Sequence, residues 1–195
     1  GRAQYGADFY LPGMLTGKLL RSPHAHARIK SIDISAAAAL QGVKAVVTGN
    51  DFPGAAKGDT LDVQDHCLAR NVALYDGHAV AAVAATSAKI AQAALELIKV
   101  DYEILPHVTS IETAMPTGAP LVQEGRRGRK IPEEYSDNCT GMCEFGHGDL
   151  DAGFAKADLI IERTFKTSST HQGYIEPNAC LANMGPDGRA DMWCC

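Results

Sequence analysis

The sequence predicts a mixed fold, α/β or α+β, on three observations. Residues 98–104 alternate, with Ile98, Val100, Tyr102 and Ile104 facing one way and Lys99, Asp101 and Glu103 the other, as a half-buried strand requires. Before them, Ile90, Ala91, Ala94, Leu97 and Ile98 repeat at helical spacing behind Ser87, whose hydroxyl suits a helix cap. Before that helix lies the apolar run 79–85, bounded by Asp76-Gly77, which reads as a buried strand. Strands interleaved with helices make a layered domain around a shared core.

The other elements follow from the amino terminus. Pro12-Gly13 is a turn leading into a strand over 14–20, and Ser22-Pro23 breaks the ladder. A strand over 27–34 places Ile29 on one face and Lys30, Ile32 and Ile34 on the other. Ser35 caps a short helix through Leu40 to Gly42, and residues 43–48 form another of the more buried strands. After Leu105-Pro106 the pattern dissolves. Pro116, Pro120, Pro132 and the glycines from Gly118 to Gly128 mark residues 107–145 as a connector. Asp149 caps a helix through Phe154 and Ala157. Strands are expected over 159–166, 174–183 and 190–195, the last pair joined by the turn Gly185-Pro186-Asp187-Gly188. The expected domains are 1–106, the connector 107–145, and 146–195 as the start of a further domain. A first residue that is not methionine and the ending Trp193-Cys194-Cys195 are expected of a piece of a longer polypeptide.

Composition narrows the functional classes. With 46% hydrophobic and 21% charged residues the chain has the balance of a soluble globular protein. Its longest apolar run falls far short of the roughly 20 residues of a membrane helix. No apolar stretch follows Gly1-Arg2-Ala3-Gln4 as a secretory signal would require. A net charge of −5 argues against nucleic acid as partner. Cys67, Cys139, Cys143, Cys180, Cys194 and Cys195 are not spaced as a disulfide framework and read as reduced thiols of a cytoplasmic protein.

Several groups have the residue types of a site. His24 and His26, two apart, would share one side of an extended chain and could share a metal, but lack further ligands. Cys139, Cys143 and His147 give a zinc only three ligands in a glycine-rich stretch. Gly146-His147-Gly148-Asp149 precedes a helix whose amino terminus could hold an anion, with Asp149 as a cap the favoured reading. Arg126, Arg127, Arg129 and Lys130 form a basic run that reads as a solvated loop before it reads as a docking contact. His171 and Glu176, five apart, would face opposite sides of a strand and make no acid–base pair. The expectation is therefore no catalytic, cofactor-binding or metal-binding residue within this chain.

A set of ordered motifs adds a family resemblance. Leu20-Arg21-Ser22-Pro23-His24-Ala25-His26-Ala27-Arg28-Ile29, with Ile32-Asp33, resembles the opening of the α/β hammerhead domain of molybdenum hydroxylases, the xanthine dehydrogenase and aldehyde oxidase family. Gly42-Val43-Lys44-Ala45-Val46-Val47-Thr48-Gly49-Asn50-Asp51, Tyr75-Asp76-Gly77-His78-Ala79-Val80-Ala81 and Ile98-Lys99-Val100-Asp101-Tyr102-Glu103-Ile104-Leu105-Pro106 resemble the family's later blocks in the family's order. Gly148-Asp149, Phe154, Ala157-Asp158 and Glu162, then His171 with Glu176-Pro177, resemble the start of its first molybdopterin-binding domain.

The resemblance implies a hammerhead domain followed by the beginning of that cofactor domain. It implies a parent enzyme, a large subunit, that hydroxylates N-heterocycles or aldehydes with oxygen from water on a molybdenum–molybdopterin centre. Electrons would pass to [2Fe–2S] clusters and FAD on partner subunits or domains, in an oligomer with an iron–sulfur subunit and an FAD subunit. In the family the glutamine near the metal, the glycine-rich cofactor loops and the catalytic glutamate follow the region matched here, so this piece would be scaffold and subunit interface, with no membrane or nucleic-acid partner. The alternatives are a large subunit of the hydroxybenzoyl-coenzyme A reductase type, or an interaction module without catalysis.

Overall fold

The computed structural model describes residues 1–52, 59–125, 128 and 130–194. They form two compact units, Gly13–Cys143 and Gly1–Pro12 with Glu144–Cys195. The larger unit runs β1 (Thr16–Arg21), β2 (Ala27–Asp33), α1 (Ser35–Ala38), β3 (Val43–Thr48), α2 (Asp59–Cys67), β4 (Val72–Ala73), β5 (Ala79–Ala85), α3 (Ala88–Leu97), β6 (Lys99–Ile104) and α4 (Ile111–Ala114). Two three-stranded sheets result, ordered β1-β5-β3 and β4-β2-β6, with every ladder antiparallel. The mixed class is thus realised in its α+β form.

β5 is the central strand of its sheet, and its alanines and valines are buried along most of its length. Small side chains there and on α3 let helix and sheet approach closely. Ala81, Val83 and Ala85 share a core with Ala91, Ala94, Leu95 and Ile98, and with Ala37 of α1. Ser87 caps α3 as expected, its Oγ accepting from the Ile90 amide at 3.3 Å. The buried stripe is Ala91, Ala94, Leu95 and Ile98, spaced i, i+3, i+4, i+7, whereas Leu97 lies off it and is exposed.

Three expectations about faces and caps are corrected. A bulge at Lys30 leaves Ile29 opposite Tyr102 and Ser31 opposite Asp101, so Ile29 and Ile32 come to the same half-buried face. The strand β3 is half-exposed because it forms an edge of its sheet. Asp33 rather than Ser35 closes the start of α1: its Oδ1 accepts from the Ser35 hydroxyl at 2.6 Å and from the Ser35 amide at 3.0 Å. The helix α2 and strand β4 were not anticipated. The first lacks a clear apolar stripe, and the second is only two residues long.

Residues 107–143 pack with the sheets in the same compact unit. Among the described residues they hold one short helix, α4, capped by Ser110, and two side chains, Asn138 and Ser136, tie much of the remaining backbone together. Asn138 Nδ2 donates to the carbonyls of Ala114 (3.1 Å) and Pro120 (3.0 Å), while its Oδ1 accepts from the Val122 amide (3.0 Å). The buried Ser136 donates through Oγ to Ala114 and through its amide to Met115 at 2.7 Å.

In the second unit Asp149 caps α5 (Leu150–Ala155), accepting from the Ala152 amide at 2.9 Å. β7 (Cys180–Met184) and β8 (Ala190–Cys194) form a hairpin without a register shift. The expected strand over 159–166 has no ladder partner among the described residues, and that over 174–183 pairs only from Cys180 onward. A stretch of strand-like composition between turn residues can be extended, but a ladder also needs a neighbouring backbone. The expected end of β8 at Cys195 lies outside the described residues. The amino-terminal segment belongs to this unit: Glu176 Oε1 accepts from the Gly6 amide at 3.1 Å, and the rings of Phe9 and Trp193 lie 6.0 Å apart.

Candidate functional site

The histidine pair after β1 is split between two tasks. The chain bends over 23–26 rather than running extended, so the spacing argument for a shared metal does not apply. His24 meets the ring of Tyr102 edge-on at 5.0 Å. His26 is buried, and its Nδ1 donates to the Pro106 carbonyl at 2.8 Å, closing the end of β6 onto the start of β2. Cys139 is occupied by its backbone, accepting from Gly128 at 2.8 Å and donating to Ser136 at 3.1 Å. Cys143 and His147 fall in different compact units. Among the described residues no group of three or more His, Cys, Asp and Glu side chains converges as metal ligands would. Arg126, Arg127 and Arg129 lie outside the described residues.

In the second unit the polar side chains of the resemblance serve nearby backbone. His171 Nδ1 accepts from the Gly173 amide at 3.0 Å, Glu176 holds Gly6, and Asp149 caps α5. These described residues do not by themselves converge on a donor set for a pterin and its metal.

The polar cluster that sequence reasoning missed lies in the larger unit, where α2, β4 and the start of β5 meet. His78 is fully buried. The Leu74 amide donates to its Nδ1 at 3.1 Å, which leaves the proton on Nε2, and Nε2 points toward the Asp65 and His66 backbone without reaching good hydrogen-bond geometry. Tyr75 stacks on the ring at 4.5 Å, and His66 lies at 6.2 Å. Burial pulls the His78 imidazolium below the ordinary histidine range, against the opposing pull of the Asp65 and His66 backbone. Close by, Arg70 Nε stands 3.7 Å from Asp65 Oδ1, too far for a hydrogen bond, and both atoms are buried without one. Asp65 and Arg70 also line a cleft of about 490 Å³ with His26, Arg28, Leu74 and Leu105. Such a cluster can receive a polar group; it does not align a nucleophile with a base. The one available signal was a histidine standing at the head of the apolar run 79–85.

The motif glycines and their neighbours position this cluster. Thr48 caps the 3-10 turn Gly49–Asp51, and the Asp51 carboxylate accepts back from the Thr48 amide at 2.6 Å. Gly49 then lies against the backbone of Leu68 and Arg70. Gly77, at φ +85, donates to the Ser22 carbonyl at 2.8 Å, and the His78 carbonyl accepts from the Ser22 amide at 2.8 Å.

These paired sheets and the ordered motifs they place define a hammerhead-type domain, and the chain belongs to the aldehyde oxidase and xanthine dehydrogenase family. Residues 1–106 match the family described as aldehyde oxidase and xanthine dehydrogenase, a/b hammerhead domain, and residues 131–195 match the molybdopterin cofactor-binding domain. The chain is similar to the carbon monoxide dehydrogenase large chain of Afipia carboxidovorans, 36% identical over 99% of this chain and 25% of that protein. It is 30% identical to the nicotinate dehydrogenase large molybdopterin subunit of Eubacterium barkeri, over 96% of this chain and 42% of that one. The solved aldehyde oxidoreductase of Desulfovibrio gigas superposes with a TM-score of 0.75 at 29% identity, over 97% of this chain and 21% of that structure. The chain thus spans about a quarter of the length of several relatives it matches. Among its described residues no helix is long and apolar enough to cross a membrane.

Proposed function

We propose that this chain is the scaffold and interface region of the large subunit of a cytoplasmic molybdenum-dependent oxidoreductase acting on N-heterocycles or aldehydes. The observation that carries the reading is the surface of the second unit. Ile175, Phe145 and Phe165 are 99%, 95% and 87% exposed, and Leu159, Ile160, Ile161 and Met184 are exposed as well. A soluble protein rarely leaves so much large apolar surface open, so further protein packs on this segment in the working molecule. The names of the relatives support the direction of the chemistry: nicotinate is an N-heterocycle, and an aldehyde oxidoreductase is among the structural neighbours.

In that setting a molybdenum–molybdopterin centre would supply the oxidation, and [2Fe–2S] clusters and FAD on partner subunits or domains would carry electrons away. The larger unit would be the independently cored part, and residues 146–195 the first layer of the cofactor domain. Domain boundaries near 106 and 145 belong to the same proposal. The test is comparative. The purified 195-residue chain should hold no molybdenum and turn over no purine, aldehyde or N-heterocycle. Co-expression with the remaining family domains and an iron–sulfur partner should give metal-loaded protein that reduces an artificial electron acceptor. Turnover by the 195-residue chain alone would overturn the scaffold assignment.

A further inference from the structure

The hairpin of the second unit places two thiols directly opposite one another. Cys180 begins β7, Cys194 ends the described part of β8, and the two are register partners in a ladder without a bulge. Both are exposed and free. The hydrogen-bonding phase of the ladder can be read from its turn. The Gly185 amide donates to the Arg189 carbonyl at 2.8 Å, so 185 and 189 are a hydrogen-bonded pair. Pair types alternate along an antiparallel ladder. Counting outward through Met184–Ala190, Asn183–Asp191, Ala182–Met192 and Leu181–Trp193 makes Cys180–Cys194 a non-hydrogen-bonded pair. In such pairs the Cα atoms stand only about 4.5 Å apart with side chains on the same face. That separation falls within the roughly 4.4–6.8 Å that disulfides span, so the bond can close without moving the strands. The other described cysteines, Cys67, Cys139 and Cys143, belong to the other unit.

We propose that Cys180 and Cys194 are a reversible oxidation site, closing to a cross-strand disulfide when hydrogen peroxide is present. One thiol is oxidised by the peroxide to a sulfenic acid with release of water. The second thiol attacks that sulfur, forming the S–S bond and releasing a second water, so two thiols and one peroxide give a disulfide and two waters. A thiol reductant returns both cysteines. The clasp fixes the register of a two-stranded hairpin that, without further strands, is weakly held. The inference rests on the register and stands whether or not the oxidoreductase reading holds.

The experiment uses the 195-residue chain carrying Cys195→Ser, which removes the neighbouring thiol. After exposure to hydrogen peroxide and alkylation of the remaining thiols, non-reducing peptide mapping with trypsin should find 167–189 joined to 190–195. The intact mass should fall by two hydrogens and recover on reduction. The same treatment in guanidinium chloride should spread the links over several cysteine pairs. Cys180→Ser and Cys194→Ser should each abolish the 167–189 to 190–195 link. A predominant link from Cys180 to Cys67, Cys139 or Cys143, a predominant intermolecular dimer, or thiols that pass to sulfinic acid without pairing would each overturn the proposal. The mapping on the Cys195→Ser chain decides the matter even if a further serine variant does not fold.

Discussion

Replacing Gly49 by alanine tests whether the polar cluster is positioned by close backbone packing. A Cβ at Gly49 would stand 2.8 Å from Arg70 Cα, 2.9 Å from the Arg70 nitrogen and 2.9 Å from the Leu68 carbonyl oxygen. All three are backbone atoms, so no side-chain rotation relieves the contact. Retreat is also restrained, because the Ala69 amide between them donates to the Ala79 carbonyl at 2.8 Å and ties the segment to β5. Overpacking of this kind costs about 1–3 kcal/mol. Removing a glycine from the unfolded chain returns roughly 0.4–1 kcal/mol. At the middle of both ranges the clash wins by about 1.3 kcal/mol, with roughly 2–4 °C in Tm for each kcal/mol in a chain of this size. Urea denaturation followed by far-UV circular dichroism reads the change. The comparison is Gly17→Ala in β1, where a Cβ meets nothing within 4 Å and the chain should be no less stable. Equal stability of the two variants would refute the claim that the Thr48–Asp51 turn is clamped onto the Leu68–Arg70 segment.

Other outcomes follow from single groups. His78 is neutral when folded and its protonation is depressed by burial, so below the ordinary histidine range the unfolded chain binds more protons than the folded one. Stability should therefore fall as pH is lowered through that range and the folded group finally charges. His78→Gln should flatten this dependence, and an unchanged pH slope would show that the ring is not the group responsible. Val83→Ala in the shared core should cost about 1.5–3 kcal/mol on scales where one buried methylene is worth roughly 1, and a loss under 0.5 in urea denaturation would mean the core is not packed as described. Ser87→Ala should cost about 1 kcal/mol through loss of the α3 cap, while Ser35→Ala should cost less, because Asp33 retains the Ser35 amide. Thiol titration of the denatured, unreduced chain should find close to six, the described cysteines being free. A disulfide shared by most molecules as isolated would contradict the cytoplasmic reading.

How legible the fold was depended on whether a residue's role was set locally. The strands β3 and β5 and the helix α3 were readable because their turn residues, cap and period lie within a few positions of each other. The face of Ile29 was not, because the bulge at Lys30 arises from pairing with β6, some seventy residues away. The same holds for 159–166, where an apolar stretch suggests a strand and no ladder partner is found among the described residues. The polar cluster was hidden for a different reason. Arg70 and His78 have no distinctive spacing from Asp65 or His66, and only the packing of α2 over the β4–β5 turn brings them together.

That distinction also explains why the ordered motifs said more than any of them does alone. Thr48-Gly49-Asn50-Asp51 is a capped turn whose glycine must admit the Leu68–Arg70 backbone, and Gly77-His78 is a turn whose backbone exchanges hydrogen bonds with Ser22. Each motif is one half of a long-range contact. A chain that keeps both halves in order has retained the closures of the hammerhead unit, and these are the constraints that composition and periodicity do not express. In the second unit Gly6 and Glu176 form such a closure, across 170 residues of sequence. Its large apolar side chains Phe145, Phe165 and Ile175 stay exposed, so that closure and the Phe9–Trp193 ring contact hold the amino-terminal segment without covering them.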